Sequence, residues 1–134
     1  MSTNHKVYKI RIVTRINMQL SQQKCVPCKG DEIPLAKAEI NIYHQQIPDW
    51  EIVTAEAIPR IKRSYKTKNF LEAVDLITQI AKIAEAEQHH PNLHLHNYNQ
   101  LEVEIYTHKT KGLHINDFIL ASKIENLVKT AVSQ

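Results

Sequence analysis

Histidines are concentrated in one short part of this 134-residue chain, and they are the side chains best suited to chemistry here. Five of the eight histidines lie between His89 and His108. An unperturbed imidazole titrates near physiological pH, so it can give or accept a proton there, and in its neutral form it also binds metals. The cluster therefore indicates proton transfer, a metal site or a pH-sensitive surface.

The spacing of the neighbouring residues adds detail. Glu85 precedes His89 by four residues, a separation at which two side chains on one helix face can touch. A carboxylate in that position would favour the charged imidazolium and fix the orientation of the ring. Pro91 directly follows His90 and disfavours helical backbone at the residue before it, so a helix is expected to end at or before His90.

The order of these residues resembles the motif of the pterin-4a-carbinolamine dehydratases, also called 4a-hydroxytetrahydrobiopterin dehydratases. That motif consists of an acidic residue, three further residues, His-His-Pro, an aromatic residue, a later histidine and an aspartate. The matching residues in this chain are Glu85, His89, His90, Pro91, Tyr98, His108 and Asp117. Residues 25–28, 48–50 and 116–121 also resemble the bacterial and plant-type members. The resemblance covers roughly residues 20–128, nearly the whole chain.

The resemblance implies a dehydratase that removes water from a 4a-hydroxytetrahydropterin and gives the quinonoid dihydropterin. One proton must reach the departing 4a-hydroxyl and another must leave N5, and imidazoles suit both steps at neutral pH. By resemblance, His90 is the base at N5. His89 and His108 are the acids toward the hydroxyl, one for each stereoisomer. The reaction requires no metal and no redox cofactor.

Four further residues are assigned to binding or orienting the substrate. Glu85 would orient an imidazole or bind the amino edge of the pterin. Asp117 would hold His108 or close the pocket. Trp50 is expected either to pack near the pterin ring or to lie in the core. Pro91, which completes the His-His-Pro motif, belongs to the same set.

The resemblance also implies the partners. The substrate is a small-molecule pterin, and neither membrane nor direct nucleic-acid binding is expected. Homodimers or homotetramers are usual in the family, and aromatic amino acid hydroxylases act in the same tetrahydrobiopterin recycling. The alternative is a non-enzymatic binding module of the same fold, because animal relatives bind a transcription factor as a dimerisation cofactor. The complete histidine set favours the enzyme, since a scaffold does not need it.

The charge of the chain is uneven, although its composition is typical of a globular protein. The net charge is +3, yet residues 1–30 hold six basic residues and no acidic one. We therefore divide the chain into a basic N-terminal extension, residues 1–19, and a domain, residues 20–134. No apolar run approaches the roughly 20 residues of a membrane span. The two glycines argue against a glycine-rich phosphate loop.

Cys25 and Cys28 form a Cys-x-x-Cys pattern, for which a redox pair, half of a zinc site and a structural turn are all open. A structural role is favoured, because a structural zinc site needs four ligands and no second such pattern exists. A zinc protein that combines these cysteines with His94 or His96 is a third functional hypothesis, although exposure of both histidines is favoured. Free thiols fit a reducing, cytoplasmic compartment.

Hydrophobic periodicity predicts alternating helices and strands. Residues 6–16 are rich in β-branched side chains and predict an N-terminal strand. The remaining predictions are a helix over 34–46, strands over 50–57 and 61–66, a helix capped by Asn69, strands over 93–96 and 100–108, and a last helix from Asn116 or Asp117.

These elements predict an α+β fold in the order α-β-β-α-β-β-α, with helices packed on one face of a four-stranded antiparallel sheet. In the last strand Leu101, Val103 and Ile105 alternate with polar residues and are expected to face the core. The main helix is expected to bury one apolar stripe that contains Phe70, Val74, Ile77, Ala81 and Ala84.

Overall fold

The computed structural model describes residues 19–27 and 32–132 and confirms the predicted α+β order. The N-terminal strand predicted over 6–16 and Cys28 lie outside the described residues. Within them, no helix has both the length and the apolar character needed to cross a membrane. The elements are a 3-10 turn (Leu20–Gln22), α1 (Lys37–His44), β1 (Glu51–Ala55), β2 (Ile58–Lys66), α2 (Phe70–Glu87), β3 (Asn92–His96), β4 (Gln100–Ile105) and α3 (Ile115–Val132).

The four strands form one antiparallel sheet in the order β1-β2-β4-β3. As predicted, Leu101, Val103 and Ile105 of β4 are fully buried, because alternate residues of a strand point to one face of the sheet. Their core cluster also contains residues of all three helices, such as Tyr43 of α1 and Ile80 of α2. One face of the sheet therefore carries the core.

Helix α2 buries only part of the predicted stripe. Ala84 is buried and Ile77 packs against the core, whereas Phe70 is 53% exposed and Val74 is 40% exposed. Ala73 and Ile80, which lie to one side of the predicted stripe, are fully buried instead. The helix is apolar over a wide arc, so periodicity could not decide which part of that arc faces the core. Asn69 caps the helix as predicted, because its side chain accepts a hydrogen bond from the backbone N–H of Glu72 at 2.9 Å.

The hairpin between β1 and β2 turns at Glu56 and Ala57, not at Pro59 and Arg60 as the predicted strand boundaries required. Both turn residues have left-handed backbone, with φ of 53° and 63°. Two-residue turns of this kind match the twist of the strands that they join. Pro59 pairs with Thr54 inside the hairpin, but the pairing of β2 with β4 begins only at Ile61, so its missing N–H is tolerated there.

This turn lacks the glycine or asparagine that left-handed backbone favours, so we expect Glu56→Asn combined with Ala57→Gly to stabilise the protein. The gain should be about 1–2 kcal/mol, because each non-glycine residue with positive φ is strained. Urea unfolding measures it. Ala55→Gly in the adjoining strand is the control and should lower stability. A double variant that unfolds as early as this control would contradict the strained turn.

Candidate active site

The end of helix α2 determines where the paired histidines point. Gln88 follows the helix with left-handed backbone, φ 54°. The backbone N–H of Gln88 donates to the Glu85 carbonyl at 3.3 Å, and that of His89 donates to the Ala84 carbonyl at 3.1 Å. This is the Schellman arrangement, which reverses the chain at a helix C-terminus. The helix thus ends before His90, as the following proline predicted.

Asp117, in the first turn of α3, is fully buried and holds His89. The distance from His89 Nε2 to Asp117 Oδ1 is 2.7 Å. The Thr107 hydroxyl donates to the same carboxylate at 2.9 and 3.0 Å, and the backbone N–H of His114 donates at 2.9 Å. A carboxylate only accepts, so the hydrogen of His89 is on Nε2 and the ring orientation is fixed.

His114 occupies the N-cap of α3, directly before Ile115. Its Nδ1 accepts a hydrogen bond from the backbone N–H of Asn116 at 3.1 Å, while Asp117 accepts from the backbone of His114 itself. This exchange is a capping box built with a histidine. Burial lowers the pKa of His114 despite the opposing charges of Asp117 and Glu32, so the ring stays neutral and can accept.

Two predicted pairings are wrong. Glu85 Oε2 lies 2.5 Å from Nε2 of His90, not beside His89. Asp117 holds His89, not His108. The left-handed backbone at Gln88 explains the first difference, because it ends the helical spacing that would have placed Glu85 and His89 on one face.

The three histidines predicted to be catalytic line one cleft of about 400 Å³, namely His89, His90 and His108. Thr107, which binds Asp117, also lines it. Glu85, Pro91 and Trp50 are not among the lining residues. Trp50 is only 1% exposed and donates its indole N–H to Glu125 at 3.0 Å. Of the two predicted positions, it therefore occupies the one in the core and not the one beside the pterin ring.

His108 packs beside Tyr106, with 4.4 Å between the ring centroids. The guanidinium of Arg60 lies over the same tyrosine ring at 4.2 Å and pairs with Glu104 at 3.1 Å. Guanidinium and phenol attract each other in this geometry. The stack restricts Tyr106, and thereby limits where the exposed imidazole of His108 can move.

The sequence did not reveal that loop 25–27 forms a wall of the cleft. The Cys25 N–H donates to Glu87 Oε1 at 3.0 Å, and the Val26 N–H donates to Asn116 Oδ1 at 3.0 Å. Asn116 also donates to the Val26 carbonyl at 2.6 Å. The only signal for this wall was the resemblance of residues 25–28 to family members, which carried no functional assignment.

The buried Cys25 is not suited to thiolate chemistry. Burial, and secondarily the Glu87 carboxylate, raise the pKa of its thiol to about 12, so it is protonated at neutral pH. Among residues 19–27 and 32–132, no group of three or more His, Cys, Asp or Glu side chains could hold a metal. His94 and His96 are exposed on β3. The described residues therefore give the zinc hypothesis no support.

Comparisons with known proteins identify the family of the chain. Residues 33–127 match the family model of the pterin 4 alpha carbinolamine dehydratases. A relative from Rickettsia canadensis is 43% identical over 110 residues, 81% of this chain and 97% of the relative. One from Halorhodospira halophila is 40% identical over 110 residues, 82% of this chain and 98% of the relative. Both are provisionally named pterin-4-alpha-carbinolamine dehydratases.

A solved structure extends the similarity to the fold. The Brucella melitensis protein described as a transcriptional coactivator/pterin dehydratase superposes with a TM-score of 0.62 at 29% identity, covering 70% of this chain and 97% of that one. The fold and the matches define a hydro-lyase, an enzyme that removes water from its substrate. More narrowly, the chain belongs to the pterin-4-alpha-carbinolamine dehydratase family.

Proposed function

We propose that this chain dehydrates 4a-hydroxytetrahydropterin to the quinonoid dihydropterin and water, with histidines of the cleft moving both protons. The observation that supports this most is the meeting of His89, His90 and His108 at one cleft. Its volume of about 400 Å³ is within the range of small-molecule sites. In the reaction the C4a–O bond breaks, the hydroxyl leaves with an added proton as water, and N5 loses its proton.

His90 is the proposed base at N5. Its Nε2 faces the carboxylate of Glu85, which can only accept, so Nε2 carries the hydrogen and Nδ1 keeps a lone pair. That lone pair can accept the proton of N5. Glu85 therefore acts by orienting the ring, which was one of the two roles predicted for it.

His89 and His108 are the proposed acids toward the hydroxyl, one for each stereoisomer at C4a. The Asp117 carboxylate steadies His89 and stabilises the imidazolium that delivers the proton. The ring of His108 is positioned by its packing against Tyr106. Pro91 acts indirectly, because it disfavours helical backbone at His90 and so keeps the chain from continuing α2 through the pair.

The test is stopped-flow dehydration of 4a-hydroxytetrahydropterin. We expect His90→Ala to lower kcat about 100-fold, because one general base is lost. His108→Ala should slow one C4a stereoisomer more than the other. His94→Ala is the matched control, since this histidine is exposed on β3 and does not line the cleft, and it should retain the wild-type rate. Equal rates for His90→Ala and His94→Ala would remove the catalytic assignment.

We also propose that the domain formed by residues 20–134 assembles into homodimers or homotetramers and works in the cytoplasm, beside an aromatic amino acid hydroxylase, in tetrahydrobiopterin recycling. Exposed Phe70, Leu71 and Val74 on α2 form an apolar patch that supports contacts between copies. The name of the Brucella melitensis protein includes coactivator, so a regulatory binding module is the second candidate function. Light scattering gives the number of copies in the assembly.

The regulatory function is tested separately with His90→Ala. If this variant loses dehydration but still binds a protein partner, the binding function is separate from the enzymatic one.

A further inference from the structure

Glu87, the last residue of α2, lines the cleft although the resemblance assigned it no role. Its side chain is 7% exposed. Its Oε1 accepts a hydrogen bond from the Cys25 backbone at 3.0 Å and lies 2.9 Å from Lys123 Nζ. One oxygen of the carboxylate therefore has its two partners within the protein.

The other oxygen of Glu87 is still available. Oε2 makes no hydrogen bond to the residues that the structure describes. No described side-chain oxygen is both fully buried and unpaired, so Oε2 must be accessible to solvent. The cleft is the cavity that Glu87 lines, and a ligand there meets an acceptor with room for up to two hydrogen bonds.

The ionisation state of Glu87 also suits a hydrogen-bond acceptor. Burial raises the pKa of its carboxyl, but the Cys25 N–H and Lys123 outweigh burial, so that the pKa is lowered and the group is ionised at neutral pH. Glu85, the carboxylate first predicted as an alternative contact for the amino edge, has a side chain 76% exposed and is paired with His90. Glu87 is the better-placed anion.

We propose that Glu87 recognises the pterin through its donor edge, the ring N3–H and the exocyclic 2-amino group. This inference rests on the proposed function and names the specificity residue of the same site. The 2-amino-4-oxo ring presents these two donors side by side, and Glu87 Oε2 is a charged acceptor for them. Because Glu87 is two residues before His89, holding this end of the flat heterocycle leaves the far ring, with C4a and N5, for the imidazoles.

The test measures binding and turnover of pterins with and without the 2-amino group. Wild-type protein should bind pterin more tightly than 2-desaminopterin, by about 10- to 100-fold in a fluorescence titration. Glu87→Gln keeps an oxygen for the Cys25 N–H but can place an amide donor against the ligand's donors. It should raise KM about 10-fold or more, change kcat little and lose the preference for pterin.

Lys123→Met is the control for a purely structural role, because it removes the ion pair of Glu87 and leaves Oε2 in place. It should keep a preference for the 2-amino group, reduced in size because Lys123 also helps to hold the pKa of Glu87 down. If Glu87→Gln keeps both the wild-type KM and this preference while the wild type turns over, the assignment of Glu87 is wrong and the proposed function stands. If the wild type performs no dehydration but prefers pterin, and Glu87→Gln loses that preference, the proposed function fails and the recognition by Glu87 survives.

Discussion

Asp117→Asn is expected to lower the free energy of unfolding by about 3 kcal/mol and kcat by about 1,000-fold. The carboxylate is fully buried and accepts from His89, from the Thr107 hydroxyl and from the backbone of His114. An amide nitrogen in its place would point a donor at a donor. The α3 N-terminus would also lose a negative charge that its dipole favours. Urea unfolding and stopped-flow dehydration measure the two losses.

The control for Asp117→Asn is Asp75→Asn, the same change at an exposed residue of α2. It should alter stability by less than about 0.5 kcal/mol and leave kcat unchanged. Thr107→Val separates the two effects, because it removes one donor to Asp117 and leaves the contact with His89 in place. If Asp117→Asn behaved like Asp75→Asn, the carboxylate would not be holding His89 in solution.

Glu125→Ala is expected to lower the free energy of unfolding by about 3–5 kcal/mol, with kcat unchanged within twofold at temperatures where the variant is folded. Glu125 Oε1 accepts from the Trp50 indole at 3.0 Å, from Arg63 at 3.3 Å and from the Tyr65 hydroxyl at 2.7 Å. Removing this carboxylate leaves the buried donors of Trp50 and Tyr65 without their hydrogen-bond acceptor. Burial, followed by the bond to Glu125, raises the pKa of Tyr65, so the tyrosine cannot adapt by ionising.

Glu125→Gln provides the comparison, because it keeps an oxygen for these donors and should cost only about 1 kcal/mol. The contrast with Asp117 is also informative. Glu125 and its partner Trp50 do not line the cleft, so their loss should affect folding and not chemistry. If Glu125→Ala lowered kcat in the folded protein, Trp50 would have a role in orienting the substrate after all.

The fold was predictable where the hydrophobic pattern of an element allows only one buried face. In β4 the alternation of Leu101, Val103 and Ile105 with charged residues allows a single buried face, and the structure has it. Helix α2 is apolar over an arc wider than one stripe, and the part of the arc that is buried depends on packing against α3, which periodicity does not describe. The hairpin turn was missed because Glu56 and Ala57 adopt left-handed backbone without glycine or asparagine.

The histidines of the site were predictable, but most of their partners were not. His89, His90 and His108 were assigned by resemblance, and the structure brings them to one cleft. Their pairing depends on the left-handed backbone of Gln88, which a sequence with glutamine there does not signal. The contact of Cys25 with Glu87 joins residues 62 apart in the chain, and no local pattern encodes such a separation.

Loop 25–27 is bound by Glu87 and Asn116. Glu87 stands two residues before His89, and Asn116 stands directly before Asp117. The family-matched region, residues 33–127, does not include this loop. A protein that began at residue 33 would keep the four strands and the three helices, but it would lose the buried Leu20 and expose one side of the cleft to bulk water. Exchanging this short segment among relatives is therefore a route to altered substrate admission with the rest of the architecture left in place.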